Sequence, residues 1–309
     1  MATAIISHKD CAAHISPPGH PECEERLNVI LAALEDPQFA ALVFIEAQKA
    51  SIDQLKLVHS ADYIKTIFDH IPSQGHFMID KDTYLSSGSK EAVLRAVGAT
   101  CQAVDLVMNG KFQNVFCAVR PPGHHAEPET AMGFCLFNSL AIAALYARSK
   151  YFCHKVAIID FDVHHGNGTQ SVVEKTKGLF YASTHQSPLY PGTGHIYDKG
   201  RGVIVNVPLA AGSGSNAIRK AYENRIFPEL CAFKPDIILI SAGFDGHRLD
   251  PLADMNLEVD DFHWLTQELV KIAQIYAKGR LVSSLEGGYN LVILSECVKS
   301  HVLALANES

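Results

Sequence analysis

The chain has 309 residues, of which 48% are hydrophobic and 19% are charged. This composition supports a sizeable core and excludes a wholly disordered chain. The 26 Lys and Arg residues against 33 Asp and Glu residues give a formal net charge of −7, and the longest basic cluster is Lys-Gly-Arg at 199–201, so we expect no direct nucleic-acid partner.

The sequence also bears on membranes and on redox state. No window approaches roughly 18 uninterrupted apolar residues, so we expect neither a transmembrane helix nor a membrane partner. Residues 1–10 lack a basic segment followed by an apolar run and are not expected to form a signal peptide. The eight cysteines form no Cys-x-x-Cys pair, which favours reduced thiols and a cytoplasmic location.

Short apolar runs rich in β-branched or aromatic residues recur along the chain and predict buried strands. Both alternate positions of each run are apolar, which is typical of strands covered on two faces in a parallel sheet. The predicted strands span residues 3–7, 114–119, 155–160, 178–183, 203–207, 236–241 and 280–285.

Helical patterns lie between these strands, at residues 89–110, 138–150, 215–230 and 260–279. The alternation predicts an α/β fold with a mostly parallel sheet. Because no repeat or linker stands out, we assign residues 1–309 to a single domain. In such sheets, ligands bind beyond the carboxyl ends of the strands.

The predicted strand at 155–160 leads into Asp160-x-Asp162-x-His164. Side chains two positions apart on a strand project to the same face, so these three can converge on one point. Burying two carboxylates with an imidazole is costly without a cation among them, and zinc accepts this mix of ligands. The motif therefore predicts a metal site, and a strand end that simply meets solvent is the less favoured alternative.

A further metal ligand is needed from another part of the chain, because a catalytic zinc keeps three protein ligands and one open position for water. The loop after the predicted strand at 236–241 offers Asp245, His247 and Asp250. Sequence spacing alone does not choose among these three residues.

The loop Arg-Pro-Pro-Gly-His-His at 120–125 offers His124 and His125. Its prolines stiffen the loop, and its glycine permits a sharp turn. Adjacent histidines do not easily bind one metal, but they can act as two positioned acid/base groups, because an unperturbed imidazole titrates near pH ~6.5. A solvated histidine pair on a surface loop is the alternative.

The predicted strand at 280–285 leads through two glycines to Tyr289. A phenol at this point could donate a hydrogen bond to a developing oxyanion. Taken alone, a tyrosine after Gly-Gly is more typical of a packed turn.

Taken together, the ordered motifs RPPGHH, GFCLFN, DFDVHHGNG, SAGFDGHRLDP and EGGYN resemble those of the zinc-dependent histone deacetylase family, and HPECEERLNVI at 20–30 resembles its N-terminal signature. This family includes the bacterial deacetylase-like amidohydrolases and the acetylpolyamine amidohydrolases. The resemblance spans roughly residues 7–291. It implies the arginase/deacetylase fold, a single domain with a central, mostly parallel β-sheet flanked by helices.

The resemblance also implies the metal ligands. By motif position, Asp162, His164 and Asp250 would bind one catalytic zinc, and Asp245 would be structural. A structural potassium ion would bind backbone oxygens of the first strand motif and residues of the next strand. The residues implied for potassium are Asp160, Asp162, His164, Ser183 and Thr184.

The implied catalytic residues are the tandem His124 and His125, their respective partners Asp160 and Asn167, and the catalytic Tyr289. Many members of the family have Asp where Asn167 stands, and Asn here resembles the class II branch. We infer that an amide partner leaves His125 neutral as the general base, whereas the carboxylate partner favours a protonated His124.

Gly133, Phe134 and Tyr190 resemble the tunnel that holds the acyl-lysine stem, and Asp82 resembles the rim aspartate that grips the substrate backbone. A polyamine-selective relative carries Glu seven residues after the zinc-binding Asp. Counted from Asp250, this position is Leu257, which mildly favours lysine substrates.

The expected function is therefore zinc-dependent removal of acetyl or related acyl groups from N-acyl-lysine in peptides or proteins. Hydrolysis of acetylated polyamines is the main alternative, and a non-catalytic acyl-lysine binder is a weaker one. An arginase-like dimanganese hydrolase would share the fold, but the sequence shows no evident second set of metal ligands. The oligomeric state stays open.

Overall fold

A central sheet organises the computed structural model, which describes residues 3–307. In chain order, the strands are β1 (Ala4–Ser7), β2 (Val43–Glu46), β3 (His76–Asp80), β4 (Thr83–Ser86), β5 (Asn114–Cys117), β6 (Val156–Asp160), β7 (Leu179–Gln186), β8 (Val203–Leu209), β9 (Ile237–Ala242) and β10 (Leu281–Leu285). Eight strands form one sheet in the order β2-β1-β5-β10-β9-β6-β7-β8. All pairings in this sheet are parallel, whereas β3 and β4 form a separate antiparallel hairpin.

Helices connect and flank these strands. They are α1 (Glu25–Ala33), α2 (Ile52–Leu55), α3 (Ala61–Asp69), α4 (Ser89–Met108), α5 (Ser139–Tyr151), α6 (Asn167–Lys175), α7 (Ser215–Ala221), α8 (Phe227–Phe233), α9 (Val259–Tyr276) and α10 (Leu291–Asn307). None of the helices within residues 3–307 is long and apolar enough to cross a membrane. The predicted fold class, a mostly parallel sheet flanked by helices, is confirmed.

The seven predicted strands all form, as β1 and β5–β10. The sequence missed β2, whose Val43 and Phe44 are 40% and 52% exposed, because an edge strand of four residues lacks the fully buried pattern. The predicted helix at 215–230 is divided into α7 and α8 by a π-helical turn at Tyr222–Ile226. Pro228, the second residue of α8, has no N–H to continue the α-helical hydrogen bonding across this turn.

The strands that lead to the predicted motifs lie side by side at the centre of the sheet. β5, β10, β9 and β6 are neighbours in that order, and each is buried along its whole length. Because they are parallel, the loops that follow them meet at one edge. The eight cysteines are free thiols, as predicted.

A buried ion-pair network fixes the segment before α1 against this edge. Glu22 is fully buried, and its carboxylate accepts hydrogen bonds from Arg120 at 2.5 and 2.8 Å and from Arg26 at 3.1 Å. Burial alone would raise the pKa of Glu22, but the two guanidinium groups lower it to about 2. The ionised carboxylate therefore stabilises the fold.

We predict that Glu22→Gln lowers the free energy of unfolding by about 3–5 kcal/mol at pH 7, because it leaves buried arginines without their counter-charge. In the wild type, the pKa is lower in the folded than in the unfolded state, so the stability from Glu22 is present above about pH 4.5 and is lost as the pH falls towards about 2. Urea unfolding at pH 7 and pH 3 measures both effects. Asp53→Asn is the control, since the Asp53 side chain is 92% exposed. Equal stability of Glu22→Gln and wild type at pH 7 would contradict this account.

Candidate active site

Three buried side chains come together beyond the carboxyl ends of β6 and β9. The ligand atoms of Asp162, His164 and Asp245 all lie within 4.8 Å of one another. His164 Nδ1 is 3.1 Å from Asp162 Oδ1 and 3.1 Å from Asp245 Oδ2. The cluster therefore presents one imidazole nitrogen and two carboxylates towards a common point.

Backbone amides hold both carboxylates in place. Asp162 accepts hydrogen bonds from the N–H groups of His164 at 2.9 Å and Gly287 at 2.8 Å. Asp245 Oδ1 accepts from Val163 N–H at 2.9 Å. A Cβ at position 287 would lie 2.2 Å from Asp245 Oδ2 and 2.6 Å from Asp162 Oδ2, so only glycine lets this backbone approach the cluster.

The charge balance of this cluster fits a divalent cation. Within residues 3–307, the ion pairs of Asp162 and Asp245 are made to histidine rings and not to Lys or Arg. Burial alone would lower the pKa of His164, but its hydrogen bonds to Asp162 and Asp245 raise it to about 10. The carboxylates thus hold a proton on the imidazole. A metal cation can take the place of this proton, because the O and N atoms of the cluster are ligands that zinc accepts.

The position of Asp250 corrects the predicted ligand set. Asp245, which was expected to be structural, is the third member of the cluster, and Asp250 is not part of it. The Asp250 oxygens accept hydrogen bonds from the N–H groups of Leu252 at 3.0 Å and Tyr289 at 2.7 Å. Asp250 therefore joins two loops. The third candidate, His247, faces Glu258, with 3.6 Å between Nε2 and Oε2.

The tandem histidines lie beside the cluster with their rings 4.0 Å apart between centroids. His124 Nδ1 is 3.1 Å from Asp160 Oδ2, which also accepts a hydrogen bond from the Tyr181 hydroxyl at 3.1 Å. Burial disfavours a charged His124, but the carboxylates of Asp162 and Asp160 outweigh it and raise its pKa well above the usual value. This geometry supports a protonated His124.

His125 has the opposite environment. Burial, followed by the nearby His124 and His164, lowers the pKa of His125 well below its usual value. Its Nδ1 is 2.8 Å from Asn167 Oδ1, while Asn167 Nδ2 donates to Glu127 Oε1 at 2.8 Å. Because Glu127 accepts from the amide nitrogen, the amide oxygen faces His125, so Nδ1 carries the proton and Nε2 has a free lone pair.

Sequence reasoning missed two glutamates that support the tandem histidines. Glu127 orients Asn167, and Glu286 Oε2 accepts hydrogen bonds from the N–H groups of Gly123 at 2.7 Å and His124 at 3.2 Å. Burial raises the pKa of Glu286 to about 7. Glu286 belongs to the EGGYN motif, and Glu127 follows the tandem histidines by two positions, but one sequence gives no signal of which loop a carboxylate contacts.

A cavity of about 240 Å³ leads from the surface to the cluster. It brings together six of the predicted site residues with His164 of the cluster. The lining residues are Asp82, His125, Gly133, Phe134, His164, Leu189, Tyr190, Leu252 and Tyr289. Burial raises the pKa of the Tyr289 phenol well above its usual value, so this hydroxyl stays a hydrogen-bond donor.

The narrow wall of the cavity depends on Gly133. This residue has a φ of +55°, and a Cβ on it would lie 2.4 Å from His125 Cδ2 and 3.0 Å from Tyr190 Cε1. Its N–H donates to Asp82 Oδ1 at 3.1 Å. A side chain here would strain the turn and collide with the ring of the candidate base.

Leu257, predicted to contact substrate, is instead a core residue with 4% exposure, and it does not line the cavity. Its place at the cavity is taken by Leu252. The predicted position was an offset of seven residues from Asp250, and the same offset from Asp245 reaches Leu252. The error in the metal ligand therefore caused the error in the substrate contact.

Of the residues predicted to bind potassium, Asp162 and His164 belong to the cluster itself. The other three, Asp160, Ser183 and Thr184, lie on β6 and β7. Asp160 and Ser183 are partners in the register of β6 and β7. The Ser183 hydroxyl is 2.9 Å from His185 Nδ1, and the Thr184 hydroxyl is 3.4 Å from the Tyr222 hydroxyl. These contacts neither require nor disfavour a cation, so the potassium site stays a prediction.

Comparisons with known proteins agree with this fold. The model of the histone deacetylase domain matches residues 20–305. The chain is 39% identical over 310 residues to histone deacetylase 14, chloroplastic, from Arabidopsis thaliana, with 94% of this chain and 73% of that protein covered. It is 36% identical over 292 residues to the histone deacetylase-like amidohydrolase of Pseudomonas aeruginosa, with 92% and 77% covered.

A solved structure described as the HDA15 HD domain has a TM-score of 0.92 and 33% sequence identity, with 98% of this chain and 88% of that chain covered. The family match and these relatives give the class of protein. The chain belongs to the histone deacetylase family.

We predict that Asp245→Ala abolishes zinc binding, whereas Asp250→Ala retains zinc and lowers turnover by about tenfold or more, because the Tyr289 amide loses its acceptor. Zinc content by mass spectrometry after dialysis, together with steady-state kinetics, measures both effects. Zinc loss in Asp250→Ala with normal zinc content in Asp245→Ala would restore the ligand set predicted from sequence.

Proposed function

We propose that this protein is a zinc-dependent amidohydrolase that removes acetyl or a related acyl group from N-acyl-lysine in peptides or proteins. One observation carries the proposal. His164 of the metal-fitting cluster, the imidazole of His125 and the phenol of Tyr289 line the same narrow cavity. A hydrolase needs a metal, a base and an oxyanion donor within reach of one amide bond.

The metal would be held by Asp162, His164 and Asp245. When bound there, zinc supplies a Lewis acid that polarises the substrate carbonyl and lowers the pKa of a water molecule towards about 7. All three ligands come from loops anchored by backbone amides, and His164 is the one that faces the cavity.

The protein side chains then move the protons. His125 accepts the proton of the attacking water at Nε2, because Nδ1 is already committed to Asn167. The Tyr289 hydroxyl donates a hydrogen bond to the oxyanion that develops on the carbonyl oxygen. A protonated imidazole returns the proton to the leaving amine, and the products are a carboxylate and a free amine. The positive charge of His124 favours the negative charge that develops nearby.

The cavity wall supports a lysine side chain as substrate. Phe134 and Tyr190 offer apolar surface for a linear methylene chain. Leu252 stands where an acidic residue would be needed to attract a polyamine, and the Lys81 ammonium lies 5.3 Å from the centroid of the Tyr190 ring. A polyamine carries a second cation near its acyl end. The Leu252 side chain has no charge to balance that cation, and the Lys81 ammonium would repel it.

A panel of acyl substrates tests the proposal. We predict that zinc-loaded protein hydrolyses an acetyl-lysine peptide with a kcat/KM about tenfold or more above those of acetylputrescine and acetylspermidine. Tyr289→Phe should lose about 10²–10³ in kcat while retaining zinc. A preference for the polyamines would support the alternative activity. Absence of hydrolysis across acetyl and longer acyl chains would favour a non-catalytic acyl-lysine binder.

The two histidines should differ in a matched pair of variants. We predict a larger loss of kcat for His125→Ala than for His124→Ala, because the proposed base, His125, lines the cavity and has an amide partner in Asn167. Steady-state kinetics at pH 8 with zinc content measured in parallel provides the comparison. The reverse ranking in variants with equal zinc would refute the assignment.

A further inference from the structure

A second concave surface lies on the side of the sheet opposite the active site, beyond the amino ends of β6–β8. We define it as the basic groove, a cavity of about 490 Å³. Its lining includes one basic residue from the last turn of α5 and others from the segments just before β6, β7 and β8. These basic residues are Arg148, His154, Lys155, Lys177 and Arg201. No Asp or Glu lines it.

Two acidic residues hydrogen-bonded to the backbone of the groove, Asp236 and Glu174, have carboxylates with partners outside the groove's cationic side chains. Asp236 Oδ2 accepts hydrogen bonds from the N–H groups of His154 at 2.8 Å and Lys155 at 2.9 Å. Glu174 Oε1 accepts from Gln170 Nε2 at 2.9 Å. Within residues 3–307, neither acid forms a side-chain ion pair with a cation of the groove.

The cations themselves are only partly engaged. Arg148 Nη1 donates to the Lys177 carbonyl at 2.5 Å, and Lys155 Nζ lies 5.5 Å from the centroid of the Phe233 ring. The side chains of Lys177 and Arg201 are exposed, and among the described residues neither forms an ion pair. Such a concentration of positive charge contrasts with the net charge of −7 for the whole chain.

An aromatic ring stands next to these charges. An adjoining cavity, also of about 490 Å³, shares Arg148 and His154 with the groove and is lined by Phe152. Phe152 ends α5 in the left-handed conformation, with a φ of +56°, where glycine is usual, and it is 77% exposed. Its ring therefore contributes little to the core and is free to stack on a ligand.

We propose that the basic groove binds a nucleoside polyphosphate, with its phosphates at Lys177, Arg201 and Arg148 and its base against the ring of Phe152. Arg and Lys bind phosphate through charge-assisted hydrogen bonds, and bases stack on aromatic rings. The cavity volume lies within the range of about 300–1,000 Å³ that is usual for small-ligand sites. A single-stranded nucleic acid is less suited, because the formal net charge of −7 for the whole chain opposes a long polyanion.

Calorimetric titration of the full, zinc-loaded chain with ADP tests the proposal. We expect saturable binding with a Kd below about 1 mM at low salt. Pyrophosphate alone and adenosine alone should each bind more weakly than ADP. Lys177→Ala/Arg201→Ala should weaken ADP binding by about tenfold or more, and Phe152→Ala by about fivefold or more.

The matched control is Lys9→Ala/Lys49→Ala, which removes the same charge just beyond the carboxyl ends of β1 and β2. It should leave the Kd within about twofold of the wild type, and neither double variant should change hydrolysis of the acyl-lysine peptide. Thermal unfolding of each variant establishes that it is folded.

Several results would overturn the proposal. These are no saturable ADP binding, equal weakening in the two double variants, or tighter binding of a single-stranded oligonucleotide than of ADP. Equal affinities for pyrophosphate and ADP, with no effect of Phe152→Ala, would overturn the nucleoside part. Because the groove lies opposite the active site, these results do not depend on the outcome for the hydrolase.

Discussion

The constraint on which this structure depends is the burial of two carboxylates against one imidazole. Asp162 and Asp245 stay ionised next to each other only if a positive charge lies between them. A proton on His164 can provide this charge, and a divalent cation provides it better. Gly287 is part of the same constraint, because the carboxylates take up the space that any side chain there would need.

Around this cluster, the carboxylates of several glutamates hold loops in place through hydrogen bonds and ion pairs. Glu22 holds Arg120 at the start of the histidine loop, and Glu286 holds the backbone of His124. Glu127 orients the amide that in turn orients His125. His124 therefore rests on the buried carboxylates of Asp160 and Glu286. His125 rests, through the Asn167 amide, on the half-buried carboxylate of Glu127. These contacts limit the movement of both rings.

Sequence patterns predicted the sheet and most of the site for clear physical reasons. Strands buried on both faces carry a strong apolar signal, and their order in the chain places their loops at one edge. Strands β2 and β3 carry no such signal, because most of their side chains are exposed, and β4 is a strand of only four residues. Between Asp245 and Asp250, spacing could not decide, since the choice depends on which backbone amides each carboxylate meets after the strand ends. The family resemblance was aligned on Asp250, and counting seven residues from it gave Leu257 in place of Leu252.

The two hydrogen bonds accepted by Asp250 have a consequence for substrate selectivity. One carboxylate ties the amide of Leu252 to the amide of Tyr289, and both residues line the cavity. An acyl group too wide for the passage would push Leu252 outward and pull the phenol away from the carbonyl oxygen. Oversized acyl groups would then bind more weakly and also be cleaved more slowly. The same pair of Asp250 hydrogen bonds would govern both effects.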